Sequence, residues 1–177
     1  MIAGLPTPLP APLPGLRAAA AVALLCILAG GARAAGVGDA APSFALPSAQ
    51  GTTISLAEFR GRVVYVDFWA SWCAPCRRSF PWMNEVHQRY GDRGFTIIAI
   101  NVDAKREDAE RFLRQYPASF PVVFDSAGAA PAAYGVKAMP SSYVVDANGR
   151  IVGLEPGFLD ERRAALEAMI RSLVAAR

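Results

Sequence analysis

The chain has 177 residues, 53% of them hydrophobic and 19% charged, with 14 prolines and 15 glycines. That length suits one compact domain plus a short appendage, and the composition excludes a disordered, collagenous or disulfide-dense scaffold. The formal charge of +3 is no sign of nucleic-acid binding, because Arg17 and Arg33 sit in an acid-free N-terminus, the remainder is close to neutral, and bases never run beyond pairs such as Arg77-Arg78.

Residues 1–34 read as an address. The uncharged stretch 18–32, between Arg17 and Arg33, is too short for a membrane span of about 20 residues but has the length of a signal-peptide core. Ala32-Arg33-Ala34 places small residues where a leader peptidase needs them, so cleavage is expected after Ala34, leaving a domain over 35–177. An uncleaved N-terminal anchor is the alternative. Cys26 follows Leu24-Leu25, where a lipoprotein signal needs a small residue, and is read as a passenger. Export to a periplasm would place the domain where disulfides persist.

After a turn at Gly51-Thr52-Thr53 between short strands and a helical turn at Leu56 to Phe59, Val63 to Trp69 is a β-branched and aromatic run, expected as a strand buried on both faces. Phe80, Met83, Val86, His87 and Tyr90 recur at helical spacing, Pro81 is expected to kink that helix, and Phe95 to Ile100 is a second buried strand. A strand-helix-strand unit of this length implies parallel neighbours. A second amphipathic helix carries Ala109, Phe112, Leu113 and Tyr116, then a short strand spans Val122 to Phe124. A short helix is expected near Pro131 to Tyr134. Ser142 to Val145 and Arg150 to Leu154 flank Asp146-Ala147-Asn148-Gly149, a hairpin signal. The last helix is expected to start at the N-cap Asp160 and to place Leu166, Met169, Ile170 and Leu173 on one face that covers the sheet. The resulting fold class is α/β, with a mixed central sheet and helices on both faces.

The chemistry lies where the first long strand gives way to its helix, in Trp72-Cys73-Ala74-Pro75-Cys76. Free N–H groups of a helix's first turn stabilise an adjacent anion, so Cys73 should have a lowered pKa and act as nucleophile. Cys76, three residues on, can attack a mixed disulfide and release the substrate. A static staple would close too small a ring to restrict the unfolded chain much. A structural zinc site needs four ligands and the domain adds only His87, while attached haem would require His at position 77, which is Arg. No metal, haem or other cofactor is therefore expected beyond the Cys73–Cys76 redox pair. Asp67, in an otherwise apolar strand, should have a raised pKa and is a candidate proton acceptor.

Val66-Asp67-Phe68-Trp69-Ala70-Ser71-Trp72-Cys73-Ala74-Pro75-Cys76 resembles the active-site strand and helix start of thioredoxin. With the leader, the helix at 106–116 and Ala138-Met139-Pro140-Ser141-Ser142-Tyr143-Val144-Val145-Asp146, the chain is similar to the exported TlpA, ResA and DsbE group. The resemblance implies a thioredoxin-like fold and reduction of disulfides in exported proteins, often in cytochrome c or copper-centre assembly, with electrons from a membrane thiol carrier. It also implies that Pro140 is a cis-proline opposite the dithiol, that Met139 pairs its backbone with a substrate peptide, that Trp72, Ala74 and Pro75 complete the substrate-facing surface, and that Asp67 takes the proton of Cys76. Ser79 departs from the group, many of whose members carry glutamate there. A disulfide oxidase or isomerase is a second reading, and a redox-inert chaperone or metal-delivery module a third.

Overall fold

The computed structural model describes residues 34–176; Cys26 and the leader up to residue 33 lie outside the described residues. Seven strands and four α-helices follow in order: β1 (Ala45–Pro47), β2 (Thr53–Ser55), β3 (Val63–Trp69), α1 (Cys76–Tyr90), β4 (Phe95–Asn101), α2 (Arg106–Gln115), β5 (Val122–Phe124), α3 (Ala129–Tyr134), β6 (Ser141–Val145), β7 (Ile151–Pro156) and α4 (Arg163–Ala175). Leu56–Phe59, Gly91–Arg93 and Asp160–Arg162 form 3-10 turns.

Five strands make one mixed sheet in the order β5-β4-β3-β6-β7, and β1 and β2 form a separate antiparallel hairpin. β3 runs parallel to β4, and β4 to β5, as the crossover lengths require. β6 is antiparallel to β3 and to β7, with Asp146 closing the hairpin turn by accepting the N–H groups of Asn148 and Arg150 at 2.9 and 2.8 Å. β3 is therefore the central strand, and every one of its residues is buried.

Alternation along β3 sorts its side chains between two cores. Val63, Tyr65 and Trp69 face a core built with Phe80, Met83, Phe112, Leu166 and Ile170, which places α1, α2 and α4 on one side of the sheet. Val64, Val66 and Phe68 face the other side, covered by Ala130 and Tyr134 of α3 and by Phe44, Leu46, Ile54 and Phe59 around the hairpin. Helices thus cover both faces, but unequally. Both crossovers step in the same direction along the sheet, so right-handed connections bring α1 and α2 to the same side.

The segment before β3 protects the sheet's edges. Ser48 bridges Val123 at the β5 edge, and Ala40 bridges Arg150 at the other.

One local expectation needs adjustment. Leu159, with φ −114° and ψ 125°, caps the last helical segment in place of Asp160, which opens the 3-10 turn and lies 3.6 Å from Arg163. Leu166, Met169, Ile170 and Leu173 do share one face: Leu166 and Ile170 are buried, Met169 and Leu173 are partly buried against the same core, and Val174 joins them. Pro81 lies inside the single span of α1.

Candidate active site

The site forms where β3 ends. Alternation puts Asp67 on the same face as Tyr65 and Trp69, the face covered by α1, and Cys76 is the first residue of that helix. Cys73 and Cys76 form a disulfide with an S–S length of 2.03 Å and Cα atoms 5.4 Å apart. Cys73 is 3% exposed and Cys76 is fully buried.

No side chain of the usual capping type stands before α1, since the N-cap is Pro75. The Cys73 sulfur takes that part, accepting the Cys76 backbone N–H at 3.3 Å. An acceptor held against free N–H groups at a helix N-terminus is favoured as an anion, so this contact would stabilise a Cys73 thiolate once the disulfide is reduced.

The loop from Ala70 to Cys73 is fixed by a polar cluster that sequence reasoning missed. Asp103 accepts the Ser71 backbone N–H at 2.9 Å and the Ser71 hydroxyl at 3.0 Å. Asn101 in turn donates its side-chain amide to Asp103 at 2.8 Å and accepts the Asp103 N–H at 3.1 Å. The available signal was Asn101-Val102-Asp103, a polar interruption at the end of an apolar strand.

Asp67 is fully buried, and the Ser142 hydroxyl donates to its Oδ1 at 2.7 Å. Its Oδ2 has no partner. Burial raises the carboxyl pKa and the Ser142 hydrogen bond lowers it; burial prevails, leaving it pushed up to about 7. Ser142 faces Asp67 directly in the β3–β6 register, a partnership invisible before the strand order is known. Ser79, the departure from the group that it resembles, is buried and donates its hydroxyl to the Cys76 carbonyl at 3.1 Å.

The Met139–Pro140 peptide bond is cis. Ser141 opposes Phe68 in register, so the next residue back, Pro140, stands at the end of β3 from which the cysteine loop departs. The Pro140 carbonyl accepts the Gly157 N–H at 2.8 Å, while among the described residues Met139's backbone N–H and carbonyl make no hydrogen bond. Trp72 is 68% exposed and Ala74 is exposed, with Pro75 half-buried between them and Cys76. Among the described residues no three His, Cys, Asp or Glu side chains converge on a point that could hold a metal ion.

The chain matches the Redoxin family over residues 36–170. It is similar to the thiol-disulfide oxidoreductase ResA of Bacillus thuringiensis subsp. konkukian, 35% identical over 116 residues that make up 66% of this chain and 67% of that one. ResA of Bacillus subtilis (strain 168) is 32% identical over 124 residues, 70% of this chain and 69% of the relative. A crystal structure from Chlorobium tepidum carrying the name thiol:disulfide interchange protein DsbE superposes with a TM-score of 0.77 at 48% identity, covering 80% of this chain and 99% of that one.

Proposed function

The chain belongs to the Redoxin family and is a thiol-disulfide oxidoreductase of thioredoxin fold, and from that premise we propose that it works as a reductase of disulfides in exported proteins. The observation that carries this reading is the dipeptide between the cysteines. Ala74 and Pro75 offer no cation or side-chain donor to the Cys73 sulfur, and without such help a dithiol remains a good reductant, in contrast to the strongly oxidising DsbA of low thiolate pKa.

In the proposed cycle the Cys73 thiolate attacks one sulfur of a substrate disulfide, forming a mixed disulfide and expelling the second substrate sulfur as a thiolate, which takes up a proton. Cys76 then loses its proton, and its thiolate attacks the Cys73 sulfur. That step forms the Cys73–Cys76 disulfide and releases the first substrate sulfur as a thiol. Two electrons pass from the protein to the substrate. The described structure is the oxidised product of this cycle, so an external dithiol must reset it, for which a membrane thiol carrier is the proposed donor. Asp67 accepts the proton of Cys76 in this scheme, since a carboxyl with a pKa near 7 exchanges protons readily at neutral pH.

The open backbone of Met139, next to the cis bond, is the proposed pairing edge for an extended substrate segment, with Trp72, Ala74, Pro75 and Pro140 around it. The names ResA and DsbE borne by the relatives, together with the leader read from residues 1–34, support export and a place in cytochrome c or copper-centre assembly. No helix among the described residues is long and apolar enough to cross a membrane.

The test is the reduction potential, measured by equilibration with glutathione or dithiothreitol. A value of roughly −200 to −280 mV is expected, and one above about −150 mV would assign the protein to the oxidising direction.

A further inference from the structure

Beside the dithiol runs a groove of about 250 Å³ between the cysteine loop and α2, lined by Ser71, Arg77, Asp108, Arg111, Gln115 and Tyr116. Two of its lining residues, Ser71 and Arg77, flank the dithiol in the sequence, so a chain disulfide-bonded to Cys73 could lay its next few residues along it.

The charges around this groove are not balanced within the protein. The first turn of α1 contains no acid and instead carries Arg77 and Arg78, both exposed. Cations are disfavoured at a helix N-terminus because its free N–H groups already carry positive partial charge. Among the described residues neither arginine has an ion-pair partner. Across the groove Arg111 is held by Asp108, and the nearby Asp103 carboxylate is already engaged by Ser71 and Asn101. The one acid lining the groove, Asp108, thus has a partner within the protein, whereas the lining Arg77 has none among the described residues. A reduced Cys73 thiolate would offset part of this charge, but only until it attacks and becomes neutral in the mixed disulfide.

We propose that this groove docks an acidic segment flanking the disulfide of the substrate, selecting substrates with Asp or Glu within a few residues of the attacked cysteine. This rests on the reading of the chain as a disulfide reductase and adds a substrate class to it. Arg77 meets the acidic segment first, and Arg111, with Gln115 alongside, meets it further along.

The experiment uses the reduced protein and three synthetic disulfide peptides, identical except for acidic, neutral or basic residues beside the cystine, with rates followed by stopped flow. The readout is the ratio of acidic-peptide to basic-peptide rate within each protein variant, which cancels any change in the intrinsic reactivity of Cys73. The expected ratio is about tenfold at low salt, falling toward unity at about 0.5 M salt as the charges are screened. Arg77→Gln with Arg111→Gln should bring it to unity or below, because Asp108 is then uncompensated. Arg171→Gln, on α4, should leave it unchanged.

A wild-type ratio near one overturns the proposal, as does a ratio that survives the double substitution or falls equally in Arg171→Gln. If the neutral peptide is reduced without any charge preference, only the docking surface is lost. If no peptide is reduced, the reductase reading itself fails.

Discussion

The hydroxyl of Ser142 on β6 donates a 2.7 Å hydrogen bond to Oδ1 of Asp67 on β3, while Oδ2 of that carboxyl is buried with no hydrogen-bond partner among the described residues. One neutral donor recovers only part of what an ionised carboxylate loses on leaving water. The group is therefore held near a pKa of 7, where it can both take and give a proton.

This arrangement fixes a pH dependence of stability. The folded pKa of about 7 lies above the ordinary aspartate value of 3.8, so between those limits the native state binds a proton that the unfolded chain releases. Stability from this group is greatest at low pH, falls as pH rises through that window, and above pH 7 carries the full penalty of about 4 kcal/mol. Asp67→Asn should remove the penalty. Urea unfolding should show the variant more stable than wild type by a few kcal/mol near pH 8 and nearly equal to it near pH 4; a variant destabilised at pH 8 would contradict the assignment.

The same substitution should slow turnover while it stabilises the fold. Loss of the proposed acceptor for the Cys76 proton should reduce release of the mixed disulfide by about 10- to 1000-fold, with first attack by Cys73 changed less. Ser142→Ala, which removes the donor favouring the ionised form, should shift the pH midpoint of resolution upward. Stopped-flow traces on a disulfide peptide separate the two steps, and an unchanged resolution rate in Asp67→Asn would exclude the role.

Cys73 and Cys76 should differ sharply as traps. Cys76→Ser keeps the proposed nucleophile Cys73 and removes the proposed resolver, so mixed disulfides should accumulate and be identifiable by mass spectrometry. Cys73→Ser should trap little. The opposite pattern would reverse the two roles.

Asp103 holds Ser71 and Asn101 together behind the cysteine loop. Asp103→Ala should leave the buried Asn101 amide and the half-buried Ser71 donors unpaired and cost about 2 to 3 kcal/mol, read as a lowered urea midpoint. Looser loop geometry should also slow attack by Cys73. A loss below about 0.5 kcal/mol would mean that water replaces the carboxylate without penalty.

Trp72, at 68% exposure, contributes little to the core. Trp72→Ala should leave stability within about 0.5 kcal/mol while lowering rates on protein substrates more than on a small disulfide reagent. Equal effects on both would remove it from the substrate surface.

Much of this was legible in the order of residues, for reasons that are local. The apolar runs 63–69 and 95–100 announced buried strands because only a two-sided interior accommodates such sequences, and the Cys-Ala-Pro-Cys spacing at a strand-to-helix junction specified redox chemistry through the helix N-terminus. The burial of Asp67 was legible too, from its apolar neighbours. Asp160 was misjudged as a cap because composition signals a helix start only to within a residue or two, whereas the capping role goes to whichever residue takes the extended dihedrals, here Leu159.

What the sequence by itself determined, then, was the set of elements, the identity of the dithiol and the anomaly of a carboxylate in a buried strand. Tertiary structure alone decided who meets whom: β6 lies beside β3 although 75 residues separate Ser142 from Asp67, and Asp103 closes on Ser71 across 32 residues. Such contacts follow from strand order and register, which arise from packing the whole chain at once. No local spacing encodes them, because a one-residue shift in register would turn Ser142 to the opposite face and leave Asp67 with no donor.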